Sequence, residues 1–209
     1  MRNKIFMAGI FLSVAVFSFY ACDDSQAGGD NKKNETKISD GSASTAYTPA
    51  QVERGAHLVL TMVCDDCHSP KRLGPQGVEL IPELRLSGFR QDGQLPPLDT
   101  QMVKNGWNMF APDLTASVGP WGASFAANLT PDATGIGNWK EEQFFKAIRH
   151  GISKGLDGNR PLLPPMPWQS FSKLSDEDLR SIFAYLKSIK PVHNVVPAPK
   201  SLSALVAAR

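Results

Sequence analysis

Cysteine is scarce in this chain, with three in 209 residues. A structural zinc site needs four protein ligands, and beyond Cys64 and Cys67 the chain offers a single further thiol, Cys22. Charge of one sign is missing as well: 22 basic side chains stand against 20 acidic ones. Such a balance gives no strong global field for steering, and without a basic stripe nucleic acid is excluded as a partner. No segment alternates apolar and polar residues as a half-buried strand does, and no internal repeat is visible. Long apolar runs are confined to one, from Ile5 to Ala21, interrupted only by Gly9, Ser13 and Ser18.

That run falls short of the roughly 20 residues of a comfortable membrane span. Preceded by Arg2 and Lys4, it reads as a signal peptide over residues 1–21. Phe19-Tyr20-Ala21-Cys22 resembles a lipoprotein cleavage site, with the small Ala21 directly before Cys22. Cys22 is therefore the expected lipid anchor, and an uncleaved signal anchor is the alternative. Either places the folded part in the bacterial cell envelope, outside the cytoplasm and tied to a membrane. Loss of Arg2 and Lys4 leaves the mature chain with 20 basic and 20 acidic residues. Residues 22–47 are rich in Gly, Asp, Asn, Lys and Ser, with too little apolar surface to offset the entropy of ordering. A coil of about 25 residues reaches roughly 25–30 Å, which suits a tether. Residues 48–200 are expected to form one domain and 201–209 a tail.

The chemistry is concentrated in Cys64-Asp65-Asp66-Cys67-His68. C-x-x-C-H is the attachment pattern of a c-type haem. Two thiols on one helical turn can each add to a vinyl group, and the adjacent imidazole is carried onto the iron. One covalent haem c is thus expected, on Cys64 and Cys67, with His68 as an axial ligand. A thioredoxin-like redox pair is the competing reading, but that pair follows a strand and has no use for the histidine. With two thiols on haem and one on lipid, no disulfide is expected even in an oxidising compartment.

Three helices can be placed. The first starts at Thr48, with Pro49 at the first helical position and Gln51 completing a capping box. Val52, Ala56, Val59, Leu60 and Val63 recur at three- and four-residue spacing, and the helix runs into Cys64. The second is expected to begin at Asn138, to carry Trp139, Phe144, Phe145 and Ile148, and to end at Gly151. The third begins at Ser175 before three acids and stops at Pro191, with Leu179, Ile182, Phe183, Leu186 and Ile189 as its apolar stripe. From Ser69 to Ala127 the chain is rich in Gly and Pro and reads as loop, with one short helix around Thr100–Asn105. The expected fold class is mainly α with long loops.

A helix leading into C-x-x-C-H, a later Met and a terminal amphipathic helix resembles the single-haem cytochrome c arrangement. The C-terminal half adds Asn128-Leu129-Thr130-Pro131-Asp132, Thr134-Gly135-Ile136-Gly137-Asn138-Trp139, Arg149-His150-Gly151-Ile152, Pro165-Met166-Pro167 and Leu174-Ser175-Asp176-Glu177-Asp178-Leu179. This series, over about residues 50–200, resembles the haem modules of cytochrome subunits of membrane-bound alcohol and sugar-acid dehydrogenases. Those subunits usually carry two or three haems, whereas this chain has one C-x-x-C-H. The resemblance implies a cytochrome c fold. It also implies that the first and last helices cross closely, with Tyr185 or Phe183 over Gly55, where a helical glycine otherwise costs about 1 kcal/mol against Ala.

A second axial ligand is expected from Met166, in Pro164-Pro165-Met166-Pro167-Trp168. The prolines stiffen that loop, and the position nine residues before Ser175 fits the resemblance. Met62 is too close to the proximal side, and Met102 and Met109 lie in the loop region. Among the histidines His57, His150 and His193, only His150 is a rival for the iron. Asn128, Thr130, Trp139 and Arg149 are candidates for holding haem propionates, with capping, turn-making and packing as their alternative duties.

With both axial positions filled, the expected function is one-electron transfer. The expected donor is a quinol-oxidising complex or dehydrogenase and the expected acceptor a terminal oxidase. A haem-based sensor or small peroxidase with an open distal site is the alternative, as is the electron-accepting subunit of a specific dehydrogenase.

Overall fold

The computed structural model describes residues 47–207; the signal, Cys22 and nearly all of the tether lie outside them. Helix α1 (Pro49–Thr61) begins as its sequence predicts. The Thr48 hydroxyl accepts from Gln51 N, and the Gln51 side chain returns to Thr48 N. It does not run unbroken into the motif. Met62 closes it and Val63 takes a left-handed backbone (φ 53°) before α2 (Cys64–His68) starts afresh.

The long helix α6 (Asp176–Ser188) is capped by Ser175, whose hydroxyl accepts from Asp178 N. It buries Leu179, Ile182, Phe183 and Leu186 against Leu58 and Val59 of α1, with Leu86, Ile136 and Phe144 completing the main core. Each such side chain contributes about 1.5–3 kcal/mol on burial. The helices meet where Gly55 lies against α6, and a Cβ there would overlap the Ser181 carbonyl and crowd Cβ of Tyr185. Tyr185 is thus at the crossing, as expected; Phe183 instead stacks on Phe144, with centroids 5.1 Å apart. Arg54 pairs with Asp178 beside the crossing.

The second expected helix starts later than Asn138. Trp139 N donates to Ile136 O in a turn, and Lys140 is still extended, so α4 spans Glu141–His150. Its two N-terminal glutamates and its last-turn Arg149 and His150 suit the helix dipole. Gly151 ends it at φ 62°, with the Trp168 ring packed where a Cβ would stand.

The region from 69 to 127 departs most from expectation, because it holds strands. A hairpin pairs β1 (Lys71–Gly74) with β2 (Gly77–Leu80), and a small sheet is ordered β3 (Met109–Phe110), β4 (Ala116–Gly119), β5 (Gly122–Phe125), all antiparallel. The strands are two to four residues long. Residues of β4 and β5 are buried on both faces apart from half-buried Phe125, so they show no alternation. The expected short helix is present as α3 (Thr100–Lys104), capped by Asp99. A short α5 (Trp168–Phe171) follows the Met166 loop. The segment after residue 200, read as a tail, carries α7 (Leu202–Ala207); Leu202 and Leu205 pack near Val103, Val118 and Ala123, and Lys200 bridges to Ala123. Among the described residues no helix is long and apolar enough to cross a membrane.

Helix α2 is too short to orient itself and is held from outside. Asp65 receives Arg85 through Nε at 3.0 Å and through the terminal nitrogen at 2.7 Å, and it accepts from Ser69 Oγ at 2.6 Å. Ser69 Oγ in turn accepts from Leu86 N, while Arg85 also donates to the Tyr185 hydroxyl on α6. On the other side Lys71 Nζ donates to the carbonyls of Asp66 and Ser69 and, across the fold, to that of Asp113 at 2.9 Å.

Two outcomes test this frame. Gly55→Ala is expected to destabilise by about 1–3 kcal/mol in denaturant unfolding, overpacking at Ser181 outweighing the propensity gain of about 1 kcal/mol; equal or greater stability would remove the crossing from the argument. The Asp65 side chain is 12% exposed and that of Arg85 36%, so Arg85→Met is expected to lose about 1–3 kcal/mol by leaving the carboxylate unpaired. Asp65→Asn in the same chain should recover part of that loss, and strict additivity of the two changes would show that the pair does not couple.

Candidate functional site

Cys64 and Cys67 occupy one turn of α2, both half-buried and neither in a disulfide. Burial, and then the Asp65 carboxylate, push the Cys64 thiol up to about 11. Burial also raises Cys67, against the opposing charge of Lys71. Both therefore remain thiols at neutral pH.

His68 follows on the same turn, and its Nδ1 lies 2.8 Å from the Ala127 carbonyl. A carbonyl can only accept, so Nδ1 carries the proton and the Nε2 lone pair is left for a metal. Desolvation, opposed by that hydrogen bond, lowers the His68 pKa and favours the neutral imidazole. A ligating histidine is normally oriented in this way by a partner on its other nitrogen. The backbone on both sides is fixed: Gly88 N donates to His68 O at 2.7 Å, and Gly88, at φ +78°, lies so close that a Cβ would run into the 126–127 backbone.

Met166 is half-buried in its proline loop. Leu162 N donates to Gly151 O at 2.6 Å, and Ser153 N to Arg160 O at 2.9 Å, which ties the segment entering the loop to the end of α4. On its other side the loop is held by Ser124 of β5, whose hydroxyl donates to Pro164 O at 2.6 Å. Ser124 and Ala127 lie three residues apart, so one short stretch touches both the Met166 loop and the His68 ring.

The other methionines are placed elsewhere. Met62 caps α1 against the main core, Met109 packs beside Val103 and Val118, and Met102 is exposed on α3. His57, His150 and His193 are exposed, and His193 faces Asp132.

The four propionate candidates have protein partners or packing duties in the structure. Asn128, 4% exposed, donates to Val192 O and accepts from Thr130 N and Oγ1; Thr130, fully buried, accepts from Val192 N. Asn194 extends this buried cluster to Ser87 O and Phe89 O. Arg149 donates to Ser172 O and Asp176, and Trp139 packs against the main core. Ser124, Ala127, Gly88 and the Asp65–Arg85 pair were not legible as parts of the site. A metal-bound histidine implies a carbonyl or carboxylate behind it, but the chain position of that group is decided by folding.

The donor set fits a covalent haem: two protonated thiols on one turn, followed by an imidazole that is oriented, neutral and free at Nε2. The cytochrome c family model matches residues 52–190. The chain is 32% identical over 159 residues to the fructose dehydrogenase cytochrome subunit of Gluconobacter japonicus, covering 75% of this chain and 24% of that protein. It is 39% identical over 83 residues to the gluconate 2-dehydrogenase cytochrome c subunit of Pantoea cypripedii, covering 39% of this chain and 17% of that protein. It is also 44% identical over 75 residues to the cytochrome c subunit of the quinone alcohol dehydrogenase of Gluconobacter oxydans, covering 35% and 15%. The chain thus spans a quarter or less of the length of these relatives. The helix-borne C-x-x-C-H with its oriented histidine and the match over most of the domain agree: this chain belongs to the cytochrome c family.

Proposed function

We propose that this chain is a one-electron carrier with a single covalent haem c, attached through Cys64 and Cys67 and ligated by His68 and Met166. The observation that carries this reading is the His68 ring, directly after the two thiols, with Nδ1 committed to Ala127 O and Nε2 left for iron. When bound, haem supplies a reversible ferric–ferrous couple, and a thioether opposite histidine raises its potential. The protein's own residues hold the cofactor, orient the imidazole and bring a soft sulfur from a stiff loop. With both axial positions occupied no site stays open for a substrate, so the chain passes electrons and does not catalyse.

The N-terminal sequence supports export, lipidation at Cys22 and residence in the cell envelope, facing the periplasm or the outside. The segment between lipid and domain would let the haem move between a donor and an acceptor at the membrane. The relatives are named as cytochrome subunits of fructose, gluconate and alcohol dehydrogenases. That favours a dehydrogenase as donor, with a terminal oxidase or another carrier as acceptor.

Optical spectra of the mature chain, made in a host that attaches haem c, test the reading. A pyridine haemochrome assay should give one haem per chain. The ferric protein should show a near-infrared thioether-to-iron band that disappears in Met166→Ala, together with a fall in midpoint potential. A high-spin ferric spectrum in the unaltered protein, shifting on addition of cyanide, would instead establish an open iron and the sensor or peroxidase reading.

A further inference from the structure

We infer that Ser124 is a positioning residue for Met166, and that β5 with its exit braces both the Met166 loop and the His68 ring. The inference rests on the ligation proposed above. Pro164, Pro165 and Pro167 surround Met166 and have no amide hydrogens, so the loop has few backbone donors with which to fix itself. Met166 N reaches only Leu163 O, at a long 3.3 Å, and on the far side of the methionine the Pro167 carbonyl accepts from Ser170 N and Phe171 N of α5. The Ser124 hydroxyl supplies what the prolines lack: a buried donor, 2.6 Å from Pro164 O and two residues from the methionine.

Ser124 is itself held firmly. It pairs with Ser117 across β4–β5. Two residues on, Ala126 N donates to Thr115 O at 2.8 Å, and Ala126 O accepts from Phe89 N at 2.9 Å. The next residue is Ala127, whose carbonyl accepts the hydrogen bond from His68 Nδ1. Residues 124–127 are thus pinned on both edges, and they present a side-chain donor to the Met166 loop and a main-chain acceptor to the proximal ring. The stretch from Ser69 to Ala127 therefore ends in residues that hold the two side chains proposed as iron ligands.

The physical consequence concerns the iron–sulfur bond. A methionine on a mobile loop loses conformational entropy each time it binds the iron, and a loop already held in place loses less. Removing the Ser124 hydroxyl leaves the thioether able to bind but easier to displace by an added ligand.

Imidazole titration of the ferric haem-loaded chain, followed at the thioether band, reads this directly. In Ser124→Ala half the band should be lost at roughly fivefold to tenfold lower imidazole than in the unaltered protein, the worth of one buried hydrogen bond. Ser117 provides the control: it sits opposite on β4, and its hydroxyl finds no hydrogen-bond partner among the described residues. Ser117→Ala should titrate like the unaltered chain. Because an alanine in a packed strand can impair folding, the isosteric pair Ser124→Val and Ser124→Thr repeats the comparison. Val should behave like Ala, and Thr should restore the original midpoint. Identical imidazole midpoints for Val and Thr, even with altered unfolding temperatures, would reduce Ser124 to a packing residue and overturn the inference. An unaltered protein without the band would fail the ligation reading itself, before any Ser124 variant is compared.

Discussion

A helix of five residues has no stability of its own, because its nucleus is unfavourable and its hydrogen bonds are too few to compensate. The helix that carries Cys64, Cys67 and His68 is of that length. Everything around it answers this constraint. Asp65 inside the motif is clamped by Arg85, and Ser69 just beyond it joins Asp65 to the Leu86 amide. Lys71 takes the carbonyls at the C-terminal end, where a positive charge also suits the helix dipole. Ahead of it, the turn at Met62 and Val63 is fixed because α1 is locked onto α6 at Gly55. The two helices that bury most of the core thus serve a motif that buries little.

Polar groups hold together what the small apolar clusters cannot. Asn128, Thr130 and Asn194 form a buried set in which side chains satisfy the backbone of three separate stretches: 87–91, 128–134 and 192–194. Buried polar groups are tolerated when they are satisfied in this way. The set anchors the irregular segment after α6 and keeps Leu129 beside Leu86, through the Leu129 N to Leu86 O hydrogen bond. Asn128 and Thr130 thus hold the turn at 128–130 and tie it to residue 192.

The long region between the motif and residue 127 fits the same scheme. Its strands are short, its sheet is closed over by α7, and Lys71 reaches across to Asp113 within it. Strand β5 leads straight into the residues that meet His68 on one side and the Met166 loop on the other. The fructose dehydrogenase cytochrome subunit matches 75% of this chain, well beyond a minimal motif.

Much of this protein could be read from local residue order, since its strongest signals are local. C-x-x-C-H specifies its chemistry within five residues. Thr48 with Gln51 and Ser175 before three acids mark helix starts through contacts made within one turn. Apolar spacing then identifies the faces of α1 and α6 that meet. Local residue order was therefore enough for the cofactor class and for the main helices. Tertiary structure decided the rest, wherever partners lie far apart in the chain. The strands escaped notice because β4 and β5 are short and buried on both faces, which erases alternation. The delayed start of α4 follows from a turn at Ile136–Trp139. Ala127 became the partner of His68 across 59 positions and Ser124 the partner of Pro164 across 40. A backbone carbonyl and a serine hydroxyl have no sequence signature of their own, and only folding brings them to the ring and the loop they hold.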